Sequence, residues 1–273
     1  MLEQISYINH LNEKLECGKD MLFVNENELH DFTWDIISKN DSISGFKRGV
    51  VSKNLTIILK CSTEQEGIKL KNKLFEVCEK DVLAVKPGKI VIGDYYISCF
   101  ITESKKTNYL LSKKYMQVSV KVTTDKPYWV KEVRTLFKPN ASEVGKNMDY
   151  NRDFPTDYSS NTLSQQLHNT NFVPSNFKLL IFGACTNPSV VINGNEYSVN
   201  VALEDNEYLE IDSIEKTIIT VHNDGTTTNC FNFRNRNSYI FEKIAPGLLN
   251  TSNNGNFMFE VVLFEERSEP KWT

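Results

Sequence analysis

Acid–base and metal chemistry usually starts from histidine, and the chain has four: His10, His30, His168 and His222. None forms an H-x-H or H-x-x-x-H pair, and no cysteine lies at ligand spacing from any of them, so no metal ligand set is expected. Six cysteines, Cys17, Cys61, Cys78, Cys99, Cys185 and Cys230, contain no C-x-x-C and read as reduced core thiols. The acidic run Glu204, Asp205, Glu207, Glu210 and Asp212 is the one place where a glycosidase carboxylate pair could be sought. Glu204 and Asp205 sit in a bend, while Glu210 and Asp212 alternate with Leu209 and Ile211, so this cluster is expected to be a solvated strand face. The nucleophile elbow G-x-S-x-G and the glycine-rich phosphate loops are both absent. No catalytic, cofactor-binding or metal-binding residue is expected, and the chain reads as no enzyme. Tyr208, Tyr239 and Trp272 could serve as stacking platforms for a sugar, although an aromatic in a strand is more often core.

The composition agrees with this. At 273 residues, 40% hydrophobic and 24% charged, the chain is ordinary for globular protein and long enough for two domains. A net charge of −4 argues against sequence-specific nucleic-acid binding. No apolar run approaches the ~20 residues that cross a bilayer, so no membrane insertion is expected. Met1-Leu2-Glu3-Gln4 lacks a basic start and apolar core, so export through a signal peptide is not expected.

The elements that would carry these residues are mostly strands. Met21–Val24 and Phe32–Ile36 are strand candidates, separated by polar residues, and Leu55, Ile57 and Leu59 mark a strand expected to be buried on nearly both faces. One helix, about 63–80, is announced by the capping box Thr63-Glu64-Gln65-Glu66 and the apolar stripe Leu70, Leu74, Val77 and Cys78. Gly93-Asp94 joins two strands in a tight hairpin, and Met116, Val118, Val120 and Val122 alternate along a half-buried strand. Between them runs a loop of about eleven residues, flanked by Lys105-Lys106 and Lys113-Lys114, which reads as an extended hairpin. Pro127-Tyr128-Trp129 ends a first domain at about 1–137. The Asn-, Ser- and Thr-rich segment 138–175 reads as a polar linker.

The remaining 176–273 reads as an antiparallel β-domain. Phe177–Gly183, Val190–Ile192 and Lys216–His222 are strand runs, and Tyr197, Val199, Val201 and Leu203 fall on one face of a single strand. Asn193-Gly194 and Asp224-Gly225 are placed as type I′ hairpin turns, with Phe231 and Phe233 resuming the alternation after the second. Asn256–Phe264 is the closing strand, before the tail to Trp272.

In this half the sequence resembles the galectin-like C-terminal domain of phage distal tail proteins, the baseplate-hub subunits of long non-contractile tails. The match is carried by Phe182-Gly183 with Asn187-Pro188, Ile192-Asn193-Gly194, Glu207–Asp212, Lys216-Thr217-Ile218, Gly225 with Asn229-Cys230-Phe231, Phe241–Ile244 before Pro246-Gly247, and Arg267 before Pro270 and Trp272. Phe32-Thr33-Trp34, the turn Gly45-Phe46-Lys47-Arg48, the single helix and Pro127-Tyr128-Trp129 are similar to the family's tail-ring domain.

The resemblance implies a mainly β chain: an N-terminal β-sandwich ring domain with one helix and an extended hairpin, and a galectin-like β-sandwich after it. It implies a structural virion protein, a homohexameric ring that joins the tail tube to the tail tip and adsorption apparatus. The tail tube protein, the tail-tip protein, the tape-measure protein and, in some phages, receptor-binding proteins would be the partners. Such a protein sits at the virion tail tip after synthesis in the host cytoplasm, and the same part occurs in prophages and tail-like bacteriocins. A ring closed by heterologous contacts needs no catalytic residue. The alternative reading is a carbohydrate-binding, lectin-like module that contacts a host-surface glycan.

Overall fold

The computed structural model describes residues 4–18, 21–109, 112–139 and 166–272. It is mainly β, with 54% of residues in strands and 10% in helix, and its large sheets are antiparallel, as the sequence leads one to expect. Most of the expected linker, residues 140–165, lies outside the described residues. The chain divides into two compact units, Met1–Lys131 with Glu266–Thr273, and Glu132–Glu265.

In the first unit the strands are β1 (Ile5–Ile8), β2 (Lys14–Cys17), β3 (Leu22–Asn27), β4 (Asp35–Lys39), β5 (Ser42–Lys47), β6 (Val51–Lys60), β7 (Gly88–Ile92), β8 (Tyr95–Thr107), β9 (Tyr115–Thr124) and the start of β10 (Trp129–Phe137), with helix α1 (Glu64–Ala84) after β6. The order β2-β1-β7-β8 forms one sheet and β3-β6-β9-β8 the other. The long β8 serves both: Tyr95–Cys99 pairs with β7, and Phe100–Thr107 with β9 past a register shift between Ile101 and Glu103. Alternation explains the layer between them, since Ile5, Tyr7, Ile90 and Ile97 share one core with Leu55, Ile57, Val118 and Val120. The β7–β8 turn and the β9 alternation stand where the sequence puts them, with Gly93 at φ 55.

Helix α1 keeps both halves of its capping box: Glu66 N donates to Thr63 Oγ1 at 3.3 Å and Thr63 N donates to Glu66 Oε2 at 3.0 Å. Leu70, Leu74, Val77 and Cys78 pack into the core. The helix runs four residues past the expected end, to Ala84, because no proline intervenes before Pro87 and Val85 takes the left-handed cap at φ 52. Four further expectations shift in this unit. Strand β3 continues through Asn25–Asn27. Strand β6 is buried on one face, with Thr56 and Ile58 half-exposed on the other. The strand expected at Phe32–Ile36 begins only at Asp35, and the expected turn at Gly45-Phe46-Lys47 is strand β5.

In the second unit the strands are β11 (Gln166–Asn169), β12 (Asn176–Phe182), β13 (Cys185–Thr186), β14 (Ser189–Ile192), β15 (Asn195–Ser198), β16 (Ala202–Leu203), β17 (Tyr208–Asp212), β18 (Thr217–Val221), β19 (Thr227–Asn229), β20 (Gly247–Asn253) and β21 (Phe259–Arg267). One sheet runs β19-β18-β17-β12-β21 and another β11-β20-β14-β15. Phe177, Leu179, Leu209, Ile218 and Val261 from the first meet Leu167, Val190, Ile192 and Tyr197 from the second in one core. Strand β11 and the buried Asn169, Asn171 and Ser175 lie where a linker is expected. Asn169 donates to the carbonyls of Ile244 and Ala245, which ties this polar segment to the unit.

The Asn193-Gly194 turn has both residues at positive φ, as a type I′ turn requires. At Asp224-Gly225 only the glycine does, and His222 N bonds Thr226 O, so this connection is a longer loop. The single strand expected over Tyr197–Leu203 breaks at Val199–Val201, where Val199 instead bridges Arg234. Phe231–Phe233 is a short 3-10 turn, started by the Asn229 side chain accepting from Phe231 N at 2.9 Å. The closing strand starts at Phe259, and its end at Glu266–Arg267 clusters with the first unit together with the tail.

Candidate assembly surface

Strands β4 and β5 form a separate two-stranded hairpin that nearly every residue leaves exposed. Lys39 and Ser42 close it around Asn40 and Asp41, both at positive φ, so Asn-Asp makes the tight turn that Asn-Gly makes elsewhere. Ile36 lies opposite Phe46, and Ser38 opposite Ile43, past a bulge. Ile36 is 61% exposed, Ile43 62% and Phe46 58%. This arm carries apolar side chains into solvent, and it is not the hairpin that the sequence marks as extended, which is β8–β9. The β8–β9 hairpin is long as well, but its lysines are engaged in part: Lys105 pairs with Glu103 at 2.7 Å and Lys113 with Glu64 at 3.3 Å.

The base of the arm is held firmly. The Arg48 guanidinium stands 4.0 Å over Trp34, 5.2 Å from the Tyr128 ring and 5.6 Å from that of Phe32. It also donates to Pro127 O at 2.6 Å and to Ser268 Oγ at 2.5 Å, which draws the C-terminal tail into this unit. Lys53 Nζ reaches Leu29 O at 2.9 Å and also the Asp31 carbonyl, and burial pulls its pKa below the ordinary lysine value. Buried Trp129 donates from Nε1 to the same Leu29 carbonyl at 3.2 Å. A fixed base with an uncovered arm is suited to gripping a partner. Most members of this cluster stand in the short motifs Phe32-Thr33-Trp34, Gly45–Arg48 and Pro127-Tyr128-Trp129, but they are spread from Phe32 to Ser268 and no local pattern shows that they meet. The arm itself had a signal in Asn40-Asp41 between Ile36-Ile37 and Ile43, which the absence of glycine at the turn obscured.

A second uncovered surface lies on the same unit. Ile68, Phe75 and Val82 repeat every seven residues on α1 and are 45%, 55% and 41% exposed. Beside them a cleft of about 210 Å³ opens between α1 and β8, lined by Lys71, Phe75, Val82, Ile101 and Lys106 among others.

The residues singled out for chemistry do not converge. His10 meets the buried Asp81, which also accepts from Tyr7 Oη; burial and this bond push the tyrosine pKa far up. His30 stacks on Trp272 with centroids 3.9 Å apart, and His168 is exposed on β11. His222 bridges Glu207 at 2.6 Å and Thr228 at 2.8 Å. Glu207 is buried rather than solvated: Glu204 N donates to it at 2.9 Å, and that bond and His222 hold its pKa below 4.5, the wrong direction for a glycosidase acid. Glu210 and Asp212 do point away from the core, but Lys178 takes both, at 2.8 and 3.3 Å, and Asp212 is buried. The expected solvated acidic face is therefore an ion-paired one. Among the described residues no three of His, Cys, Asp and Glu are placed to hold a metal, and no helix is long and apolar enough to cross a membrane.

All six cysteines are unpaired, and burial raises the thiols of Cys17 and Cys185 to about 11 and Cys78 to about 12. Each aromatic platform already meets a neighbour in its own unit. Tyr208 tilts against Phe182, Trp272 covers His30, and Tyr239 has Lys216 over its ring at 5.6 Å.

No protein-family model and no curated protein matches the sequence. Among solved structures the fold is similar to the Dit protein of phage SPP1, described as a paradigm of the hub adsorption apparatus in phages that infect Gram-positive bacteria. The TM-score is 0.61 at 11% identity, over 98% of this chain and 100% of that one. It is also similar to chains of the phage P2 baseplate in its activated conformation, solved with Ca and with Sr. There the TM-score is 0.64 at 13% identity, over 99% of this chain and 100% of theirs. Over nearly its whole length the chain therefore has the fold of the Dit hub and baseplate proteins of phage tails, the likeness its sequence already carried.

Proposed function

We propose that this chain is a structural subunit of a phage tail hub, acting by assembly and not by catalysis. Six copies form a ring that joins the tail tube to the tail tip and adsorption apparatus. Its partners are further copies of itself, the tail tube protein and the tail-tip protein, and its place is the virion tail. The observation that carries this reading is the fold match, which spans all of the SPP1 Dit chain and of the P2 baseplate chains, both units included. An uncovered apolar arm on a braced base supports it, because a monomer gains nothing from such an arm.

Native mass measurement tests the reading. A ring mass six times that of the chain is expected at micromolar concentration or on adding tail-tube or tail-tip protein. A monomer under all of these conditions overturns it. The lectin reading draws less support, because Tyr208 tilts against Phe182, Tyr239 carries Lys216 over its ring and Trp272 stacks on His30, so each ring already spends a contact on its own chain. Host cell-wall polysaccharide titrated into the protein is expected to give no binding heat.

A further inference from the structure

We infer that the arm and the cleft are two halves of one contact: the β4–β5 hairpin of one copy lies in the α1–β8 cleft of the next. This rests on the ring reading above and adds which surfaces meet. Both surfaces belong to the same unit, both are apolar, and neither is covered by its own chain. By strand periodicity and register, Trp34, Ile36, Phe46 and Ile43 share one face of the arm, and Trp34 stacks edge-on against Phe46 with centroids 6.4 Å apart. The opposite face has Ile37 across from Gly45 and offers less.

The dimensions agree. The cleft follows α1 from Lys71 to Val82, about 16 Å at the helical rise, and a five-residue strand such as β4 is about 16 Å long. Charge agrees at the turn. Glu103 is taken by Lys105 and Lys121, which leaves Glu79, Lys106 and Lys71, whose Nζ also reaches Ser112 O at 3.4 Å, as the other charged groups of the cleft, one acid to two cations, while Asp41 at the tip of the arm pairs with no cation among the described residues. A two-stranded hairpin is marginal by itself in water, so an arm exposed along both strands gains most from a partner that covers it. Because arm and cleft are different surfaces, the contact is head-to-tail, the kind that closes into rings and not two-fold dimers.

A complementation experiment tests this. One variant carries Ile36→Asp with Phe46→Asp and keeps its cleft; the other carries Phe75→Asp with Val82→Asp and keeps its arm. All four positions are exposed, so both variants are expected to keep the unaltered circular dichroism and the melting temperature that the unaltered chain shows at high dilution. Alone, each should self-associate at least on the order of 100-fold more weakly than the unaltered chain. Mixed, they retain one intact contact and should form a one-to-one dimer and nothing larger. Asp41→Lys alone should weaken assembly, and adding Lys106→Asp should restore it. If the unaltered chain never forms rings, the ring reading itself falls. Rings formed by both variants, or a mixture that stays monomeric while the unaltered chain assembles, overturn the arm-and-cleft contact and leave the ring standing.

Discussion

Arg48 illustrates how one cation can gather residues from separate short motifs into one surface. Three rings surround its guanidinium and two oxygens accept its hydrogen bonds, so it joins the segment before β4, the Pro127 bend and the C-terminal tail. Arg48→Ala is expected to cost about 2–3 kcal/mol, from the lost cation–π and charge-assisted hydrogen bonds, read as a lower urea midpoint. Glu207 behaves differently. Its folded pKa lies below 4.5, so the unfolded chain binds the proton more readily. Its stabilisation is complete above the unfolded value and disappears as pH falls through the folded one. The melting-temperature gap between the unaltered protein and Glu207→Gln should thus be largest near neutral pH and close in acid; a gap that widens in acid contradicts the assignment. At this scale the sequence was misleading about Glu207. It reads as one more acid of a solvated cluster, and only the loop that brings His222 and Glu204 N to it makes it a buried hydrogen-bonded group.

Helix α1 is the element most legible in the sequence, because a capping box and a period-3.6 stripe are local signals. What the sequence did not tell was which neighbours crowd it. Gly67 sits in its first turn, where alanine normally stabilises a helix by about 1 kcal/mol. Here a Cβ would fall 2.2 Å from Lys113 O, a backbone atom of the strand-connecting segment. Gly67→Ala is therefore expected to destabilise, by about 1–3 kcal/mol, the sign opposite to propensity; chemical denaturation decides between them. Thr63→Ala tests the local signal by itself and should cost about 1 kcal/mol. Elsewhere the same contrast holds. Strand β9 appears where alternation puts it, and β12 and β14 where short apolar runs do. The run from Tyr197 to Leu203 kept its inward side chains but not its strand, because the Val199–Arg234 bridge and the Asn200 N bond to Phe233 O redirect the backbone.

For the whole molecule, assembly links stability to concentration. Ligation by further copies stabilises the folded chain by mass action, so the melting temperature should rise with protein concentration for the unaltered chain and stay flat for Ile36→Asp with Phe46→Asp. Scanning calorimetry over a hundredfold dilution series reads this directly. The sequence by itself determined the mainly β class, the one capped helix, the tight turns at Gly93-Asp94 and Asn193-Gly194, and the likeness to phage tail hubs. The first three rest on residues within a few positions of one another, where periodicity and turn chemistry act, and the likeness rests on the order and spacing of many such short pieces. Only the tertiary structure decided that the exposed arm is β4–β5, that α1 has a second, uncovered apolar row, and that Glu207, Glu210 and Asp212 are paired. Burial and pairing depend on what the rest of the chain brings alongside, and an isoleucine in a short strand reads the same whether it faces a core or another molecule.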